Sequence, residues 1–165
     1  MTTAVAVVGD FRVEGNKLIG GSVSCVASSG NQEVSDNAVI LGSVGLSGAS
    51  ATSGICTVKN NNHIVGTTTI TQGRNARVVG NNTKRRVEIK DVQAFEVVGN
   101  TAKTDAGEPI IWINPLTAAN ILAGVVSANN LLIKTGTSGA GYVTIGAGVT
   151  GVTDVNNNKL TVNWS

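Results

Sequence analysis

Residues that carry chemistry are scarce in this sequence. It contains one histidine, His63, and two widely separated cysteines, Cys25 and Cys56, with no Cys-x-x-Cys motif. Zinc sites and Cys–His nucleophiles need several such residues brought together. We therefore expect no metal site, no cofactor and no enzymatic activity.

Charged and aromatic residues are also few. Charged residues make up 13% of the chain, against about 25% in typical globular proteins, and the net charge is only +2. Aromatic residues make up 3%, which is too little to line a sugar-stacking cleft. With so little charge, the surface has to consist of hydroxyl and amide groups or be covered by a neighbouring subunit. This composition favours a homo-oligomer.

Long apolar segments are missing as well. The stretch from Ala4 to Val8 is too short for a signal peptide or a membrane span, and no basic residue precedes it. We expect synthesis in the host cytoplasm, no membrane contact and reduced cysteines. Cys25 and Cys56 are then buried small apolar side chains, and a disulfide between them would require an extracellular location.

Residues typical of turns and strands are abundant instead. There are 21 glycines, 18 asparagines and 18 threonines among 165 residues, and valine and isoleucine recur in short runs. Alternation is clear in KRRVEIKDV, where Arg85, Val87 and Ile89 would share one side of a strand and Arg86, Glu88 and Lys90 the other. The sequence predicts an all-β protein with many short strands.

One short helix is predicted near 115–123. Asn114 can cap its N-terminus, Pro115 suits the first helical position, and Gly124 suits the C-terminal cap. No other segment combines helical spacing of apolar residues with such end signals.

Two β architectures compete for the remaining chain. The pattern V-x-G-N occurs at Val13–Asn16, Val78–Asn81 and Val97–Asn100, and Asn60–Asn62 is a triple asparagine. These residues resemble the stacked asparagine corners of a parallel β-helix-like solenoid, which would cover the first two thirds of the chain. Asn and Gly are equally typical of hairpin turns, and the repeat stops after Asn100. We therefore predict an antiparallel barrel or sandwich, with the solenoid as the alternative.

Residues 101–109 read as a loop between two parts. The segment TAKTDAGEP is polar and contains Gly and Pro. It would separate a β-rich part at 1–100 from a smaller β part with the helix at 110–165, and the two parts can also pack as a single domain.

The chain has one local excess of positive charge. Half of the twelve cations fall within a seventeen-residue stretch: Arg74, Arg77, Lys84, Arg85, Arg86 and Lys90. Such a cluster can protect an edge strand from aggregation, contact another protein subunit, or bind nucleic acid. Nucleic acid is the least favoured ligand because the stretch has no aromatic residue for base stacking. The cluster is our predicted partner contact.

The segment GEPIIWINPLTAANILAGVV, Gly107 to Val126, resembles the strand, Trp, Pro-started helix and small-residue strand of bacteriophage capsid decoration proteins. The resemblance implies a noncatalytic virion structural protein, favoured as a trimer, that binds the major capsid protein or other virion subunits at the virion surface and stabilises the head. The β-helix-like stretch points to a second virion role, a tail fibre or spike segment.

Two further hypotheses stay open. One is a carbohydrate-binding or glycan-cleaving β-helix module, for which Glu88 and Asp91 are the acids to test. Against it, the adjacent Arg86 and Lys90 predict a solvated charged edge instead. The other is an extracellular filament subunit that assembles by strand sharing.

Overall fold

The chain winds into a parallel β-solenoid. The structure is a computed structural model that describes residues 3–6, 9–50, 52–115, 121 and 123–164. Every strand pair in these ranges is parallel, and seven coils follow one another along the solenoid axis. Each coil contributes one strand or bridge to each of three faces.

The first face contains β1 (Thr3–Ala6), β3 (Val23–Ser28), β5 (Val44–Gly48), the first part of β7 (Thr68–Val79), the first part of β9 (Val87–Val98), β11 (Ile111–Ile113) and β14 (Val143–Ile145). The second face contains β2 (Phe11–Glu14), β4 (Gln32–Ser35), β6 (Ile55–Lys59), the second parts of β7 and β9, β12 (Ala123–Ser127) and β15 (Val152–Val155). The third face contains β8 (Asn82–Thr83), β10 (Thr101–Thr104), β13 (Asn130–Lys134) and β16 (Asn158–Val162). Single bridges extend the third face toward the first coil through Ile19, Ile40 and Ile64.

The core consists of columns of apolar side chains, because in-register parallel strands place equivalent residues directly above one another. The clearest column lies inside the second face, where each residue pairs with the next: Val13, Val34, Val58, Val78, Val97 and Val126. All of these except Val13 are fully buried. Branched side chains suit this packing, which explains the valine and isoleucine content.

An asparagine column marks the corner between the second and third faces. We call it the asparagine ladder; its members are Asn16, Asn37, Asn61, Asn81, Asn100, Asn129 and Asn157. The backbone N–H and the Nδ2 of each asparagine both donate to Oδ1 of the next, over 2.8 to 3.2 Å. The residue before each has a φ between 52° and 68°, a region that Gly and Asn tolerate best.

The two ends of the solenoid differ. In the last coil, Asp154 follows the valine column, and Lys159 follows Leu131 in the corresponding column of the third face. Their charged groups lie 2.8 Å apart. In the first coil the same columns begin with Val13 and Ile19, which line an open apolar groove. Among the described residues, an ion pair therefore covers the core columns at the last coil, whereas apolar side chains end them at the first coil.

This architecture corrects part of the sequence prediction. The antiparallel barrel or sandwich is wrong: the Gly-Asn pairs form left-handed corners, after which the chain continues around the coil instead of reversing. The solenoid alternative fits, and it extends beyond the first two thirds to Val162. The all-β prediction and the alternation from Val87 to Lys90 are confirmed, but Arg85 lies in the turn before β9 and not in the strand.

The predicted helix and loop have different outcomes. Most of the helix at 115–123 lies outside the described residues; Ala123 begins strand β12, and the described residues contain no helix. Of the predicted loop at 101–109, Thr101–Thr104 form strand β10, because this segment continues the third face directly after the ladder residue Asn100. Strand pairing continues from β9 to β11 and β12 across this segment.

Substitution of the central ladder residue should strongly destabilise the protein. In Asn81→Ala, the Asn61 N–H and Nδ2 lose their acceptor, and the Val58 and Val79 carbonyls lose a donor, all in a buried corner. We expect the free energy of unfolding in urea to fall by about 3 kcal/mol or more. The control is Asn62→Ala, at the exposed position that follows the ladder residue Asn61. Equal losses in the two variants would contradict a structural role for the ladder.

Candidate functional sites on the solenoid surface

The six cations of the predicted contact cluster do not form one patch. The solenoid separates them onto three regions: Arg74 and Arg77 at the second face, Lys84 and Arg85 at the end of the third face, and Arg86 and Lys90 at the first face. Strand β9, which carries Lys90, has β7 on one side and β11 and β12 on the other. The interpretation as protection of an edge strand is therefore wrong for Lys90, and also for Arg74 and Arg77 on β7, which lies between β9 and the strands β5 and β6. The partner-contact interpretation stays a prediction.

Arg86 and Lys90 belong to a charge network on the first face. Glu88 lies at its centre, with only 6% of its side chain exposed. Its carboxylate accepts a 2.8 Å hydrogen bond from Asn114 Nδ2 and lies 3.3 Å from Lys90 Nζ. Arg86 lies 3.5 Å from the same carboxylate and stacks over Trp112, with 4.8 Å from Cζ to the ring centroid.

The network is balanced in charge, since Arg86 also bonds Glu108 at 2.7 Å. Two cations thus face two carboxylates, and Glu88 is buried, not solvated as predicted. Such mutual neutralisation fits a structural cluster that covers the first face. Asp91 is also buried, at the left-handed corner of β9 with φ 44°.

The second face carries a row of alternating charges. Arg12, Glu33, Thr57, Arg77 and Glu96 occupy the same outward position in successive coils. Arg12 lies 3.3 Å from Glu33, and Arg77 lies 3.1 Å from Glu96. The Ser35 hydroxyl, which donates to Glu33, and the nearby Lys59 and Arg12 together hold the pKa of Glu33 below its ordinary value. These exposed pairs add little stability each, but they leave no unbalanced charge in the row.

A basic pocket lies where the third face turns back to the first. We call it the corner pocket; its lining includes Val65, Lys84, Arg85, Lys103, Asp105 and Trp164. Arg85 is paired with Asp105 at 3.3 Å. Lys84 and Lys103 have no ion pair with any residue that the structure describes.

Sequence reasoning found two residues of the corner pocket, Lys84 and Arg85, and missed Lys103 and Trp164. A signal for Lys103 was available, because the two VVGN corners are 19 residues apart and Lys103 follows Lys84 at the same interval. Trp164 has no comparable signal, since no repeat position corresponds to it.

Groups with catalytic or metal-binding chemistry are dispersed. The described residues contain no group of three or more His, Cys, Asp and Glu side chains that could hold a metal. His63 lies in the corner before Ile64, and its backbone carbonyl accepts a hydrogen bond from the Ile40 N–H at 2.8 Å. No helix in the described ranges is long and apolar enough to cross a membrane. Cys25 and Cys56 are free thiols buried in the core.

Comparison with known proteins gives no match: no family model matches the chain, and no curated protein or solved structure is significantly similar to it. Function therefore has to be inferred from the chain's own surface.

Because the two thiols are buried, the free energy of unfolding should decrease as pH rises in the alkaline range. Burial, together with the charge of nearby Cys25, raises the pKa of Cys56 to about 12. An unfolded thiol loses its proton near pH 8.5, at roughly its ordinary pKa, so the unfolded state is favoured progressively as pH rises from there toward 12. We expect the free energy of unfolding in urea to fall between pH 8 and 10, and to fall less steeply in Cys56→Ala. Equal slopes in the two proteins would contradict this account.

Proposed function

We propose that this chain is a noncatalytic structural protein of a bacteriophage virion, built as a rigid β-solenoid that assembles with copies of itself. The virion setting is supported by the composition and by the resemblance of Gly107–Val126 to decoration proteins. Assembly is supported by the distribution of charge on the solenoid surface. The partners would be the major capsid protein or other virion subunits.

The observation that carries the assembly proposal is an uncharged area on the first face. We call it the neutral patch; it consists of Ser24, Val26, Gly45, Ser47, Thr69 and Thr71, and spans the second to fourth coils. Its side chains are small, and Val26 is 47% exposed. A second subunit could pack here without desolvating any charge, whereas the second face carries charges in most coils.

A closed homo-oligomer fits this patch better than an open filament. Subunits that pack side by side through one lateral face, arranged around a rotation axis, form a closed assembly. Among such assemblies we favour a trimer. End-to-end strand sharing would place the apolar first coil of one copy on Asp154 and Lys159 of the next. That contact would bury an ion pair against Val13 and Ile19, which is costly.

Of the two virion roles, a fibre or spike segment fits the solenoid better than a capsid decoration protein. The decoration resemblance includes a Pro-started helix, and the described residues around it are extended strands, β11 and β12. A stack of in-register coils is stiff along its axis, as a fibre or spike requires. Decoration of the capsid is the second candidate, favoured by the Trp112 strand and the small-residue strand at Ala123–Ser127.

The assembly proposal predicts a specific response to charge on the neutral patch. Purified protein should show a mass near three times 16.7 kDa by size exclusion with light scattering. Thr69→Arg should convert it to monomers, since each interface would then have to desolvate an added charge, and the in-register neighbour Glu88 is already paired with Arg86 and Lys90. Thr57→Arg is the matched control: Thr57 is also a partly exposed outward residue in mid-strand, but on the second face. A monomeric parent protein, or a Thr69→Arg protein that keeps its mass, would refute the proposal.

The closed end makes a separate prediction. Asp154→Val with Lys159→Leu continues both core columns to the end of the solenoid, so the last coil becomes an exposed apolar edge. We expect particles larger than the parent protein by light scattering and elongated stacks in negative-stain micrographs.

The control double variant is Arg77→Leu with Glu96→Val, which removes another ion pair from a lateral position. An unchanged mass for the end variant, or equal association of the control, would show that the ion pair does not limit stacking.

A further inference from the structure

We propose that the corner pocket is a binding site for a carboxylate-bearing sugar, such as a hexuronate unit of an acidic glycan. The inference rests on the geometry and charge of the pocket alone and does not depend on the proposed virion role.

Two lysines in the pocket are stacked without a counter-charge. The pairs Asn82 with Thr101 and Thr83 with Ala102 fix the register, so Lys84 and Lys103 occupy equivalent positions in neighbouring coils. Adjacent strands are about 4.8 Å apart, and like charges directly opposite each other destabilise a sheet. Neither lysine has an ion pair within the described part of the chain.

Most other charged side chains that stack in neighbouring coils contact a side chain of opposite charge. On the second face Arg12 and Lys59 both contact Glu33, and on the first face Arg86 and Lys90 both contact Glu88. In a chain with so few charges, an unbalanced lysine pair within a concave pocket is the exception. An external anion is the group that would neutralise it.

The other lining groups favour a sugar as the carrier of that anion. Trp164 is the aromatic residue in the lining, and an aromatic ring can pack against the C–H groups of a pyranose while its indole N–H donates a hydrogen bond. Asp105, held by Arg85 at 3.3 Å, is an acceptor for ring hydroxyls. A carboxylate in the lining also opposes a doubly charged phosphate more than a singly charged uronate.

The pocket is poorly suited to nucleic acid. In the outward column that contains Lys84 and Lys103, the flanking positions are Val65 on one side and Leu132 on the other. The positive surface therefore extends over two coils only. A nucleic acid strand would need a longer basic track with several stacking aromatics.

Binding can be measured by titration of the full chain with an oligoglucuronate, following tryptophan fluorescence and calorimetry. The comparison ligands are a neutral glucose oligomer of equal length, inorganic phosphate and a single-stranded oligothymidylate. We expect saturable binding of the oligoglucuronate and none of the neutral oligomer.

The lysine variant is Lys84→Gln with Lys103→Gln, and its matched control is Lys17→Gln with Lys134→Gln. The control removes the same charge from lysines that also have no ion pair in the described ranges but do not line the pocket. We expect the pocket variant to weaken binding about tenfold or more, as for loss of charge-assisted hydrogen bonds, and the control to bind like the parent protein. Trp164→Leu should weaken binding and abolish the fluorescence change.

Three results would overturn the proposal: no binding of the oligoglucuronate, equal weakening by the control variant, or tighter binding of phosphate or oligothymidylate with the same dependence on Lys84 and Lys103. The oligomer mass of the pocket variant is measured in parallel, because it tests the assembly proposal independently of sugar binding. A failure of sugar binding would leave that mass unchanged.

Discussion

A stacked asparagine at one corner of every coil fixes the register of the whole solenoid. From Asn37 onward each Oδ1 accepts two hydrogen bonds from the neighbouring coil, and each Nδ2 also bonds a strand carbonyl, as Asn81 bonds Val58 and Asn100 bonds Val78. A coil cannot slip by one residue without leaving several of these buried groups unpaired, and a slip would also turn its core side chains outward. The alignment of all three faces therefore follows from this corner.

In-register stacking also accounts for the low charge of the sequence. Any side chain on an outward column has a neighbour about 4.8 Å away in each adjacent coil, so a charge is tolerated beside an opposite charge or a neutral residue. Arg77 with Glu96, and Arg12 with Glu33, follow this rule. Threonine and serine occupy many of the remaining outward positions, such as Ser47, Thr57 and Thr69, because a hydroxyl hydrogen-bonds to water without adding a charge.

The sequence allowed prediction of the strands and of part of the ladder, but not of its extent. Three ladder corners carry V-x-G-N and two are triple asparagines, at Asn60–Asn62 and Asn156–Asn158, whereas Asn37 and Asn129 follow Asp36 and Ala128 and have neither pattern. Coil lengths from 19 to 29 residues hid the repeat. The basic cluster was predicted as one site because its residues are close in sequence. The chain passes two corners within those seventeen residues. Residues about 20 positions apart therefore become neighbours in successive coils, whereas residues close in sequence can lie on different faces.

The corners differ in how much variation they tolerate, and this determines where the fold can acquire function. Two residues connect the second to the third face at 80–81, 99–100, 128–129 and 156–157. The turn from the third to the first face holds six residues at 105–110 and eight at 135–142. The ladder corner contributes side-chain hydrogen bonds between every pair of successive coils, whereas at the other corners such bonds join the first coils, as from the Asn31 N–H to Asp10 and from the Thr67 N–H to Ser43. Insertions at the turn from the third to the first face therefore leave the core columns intact. The corner pocket lies at such a variable turn, where binding residues can change while the ladder holds the fold.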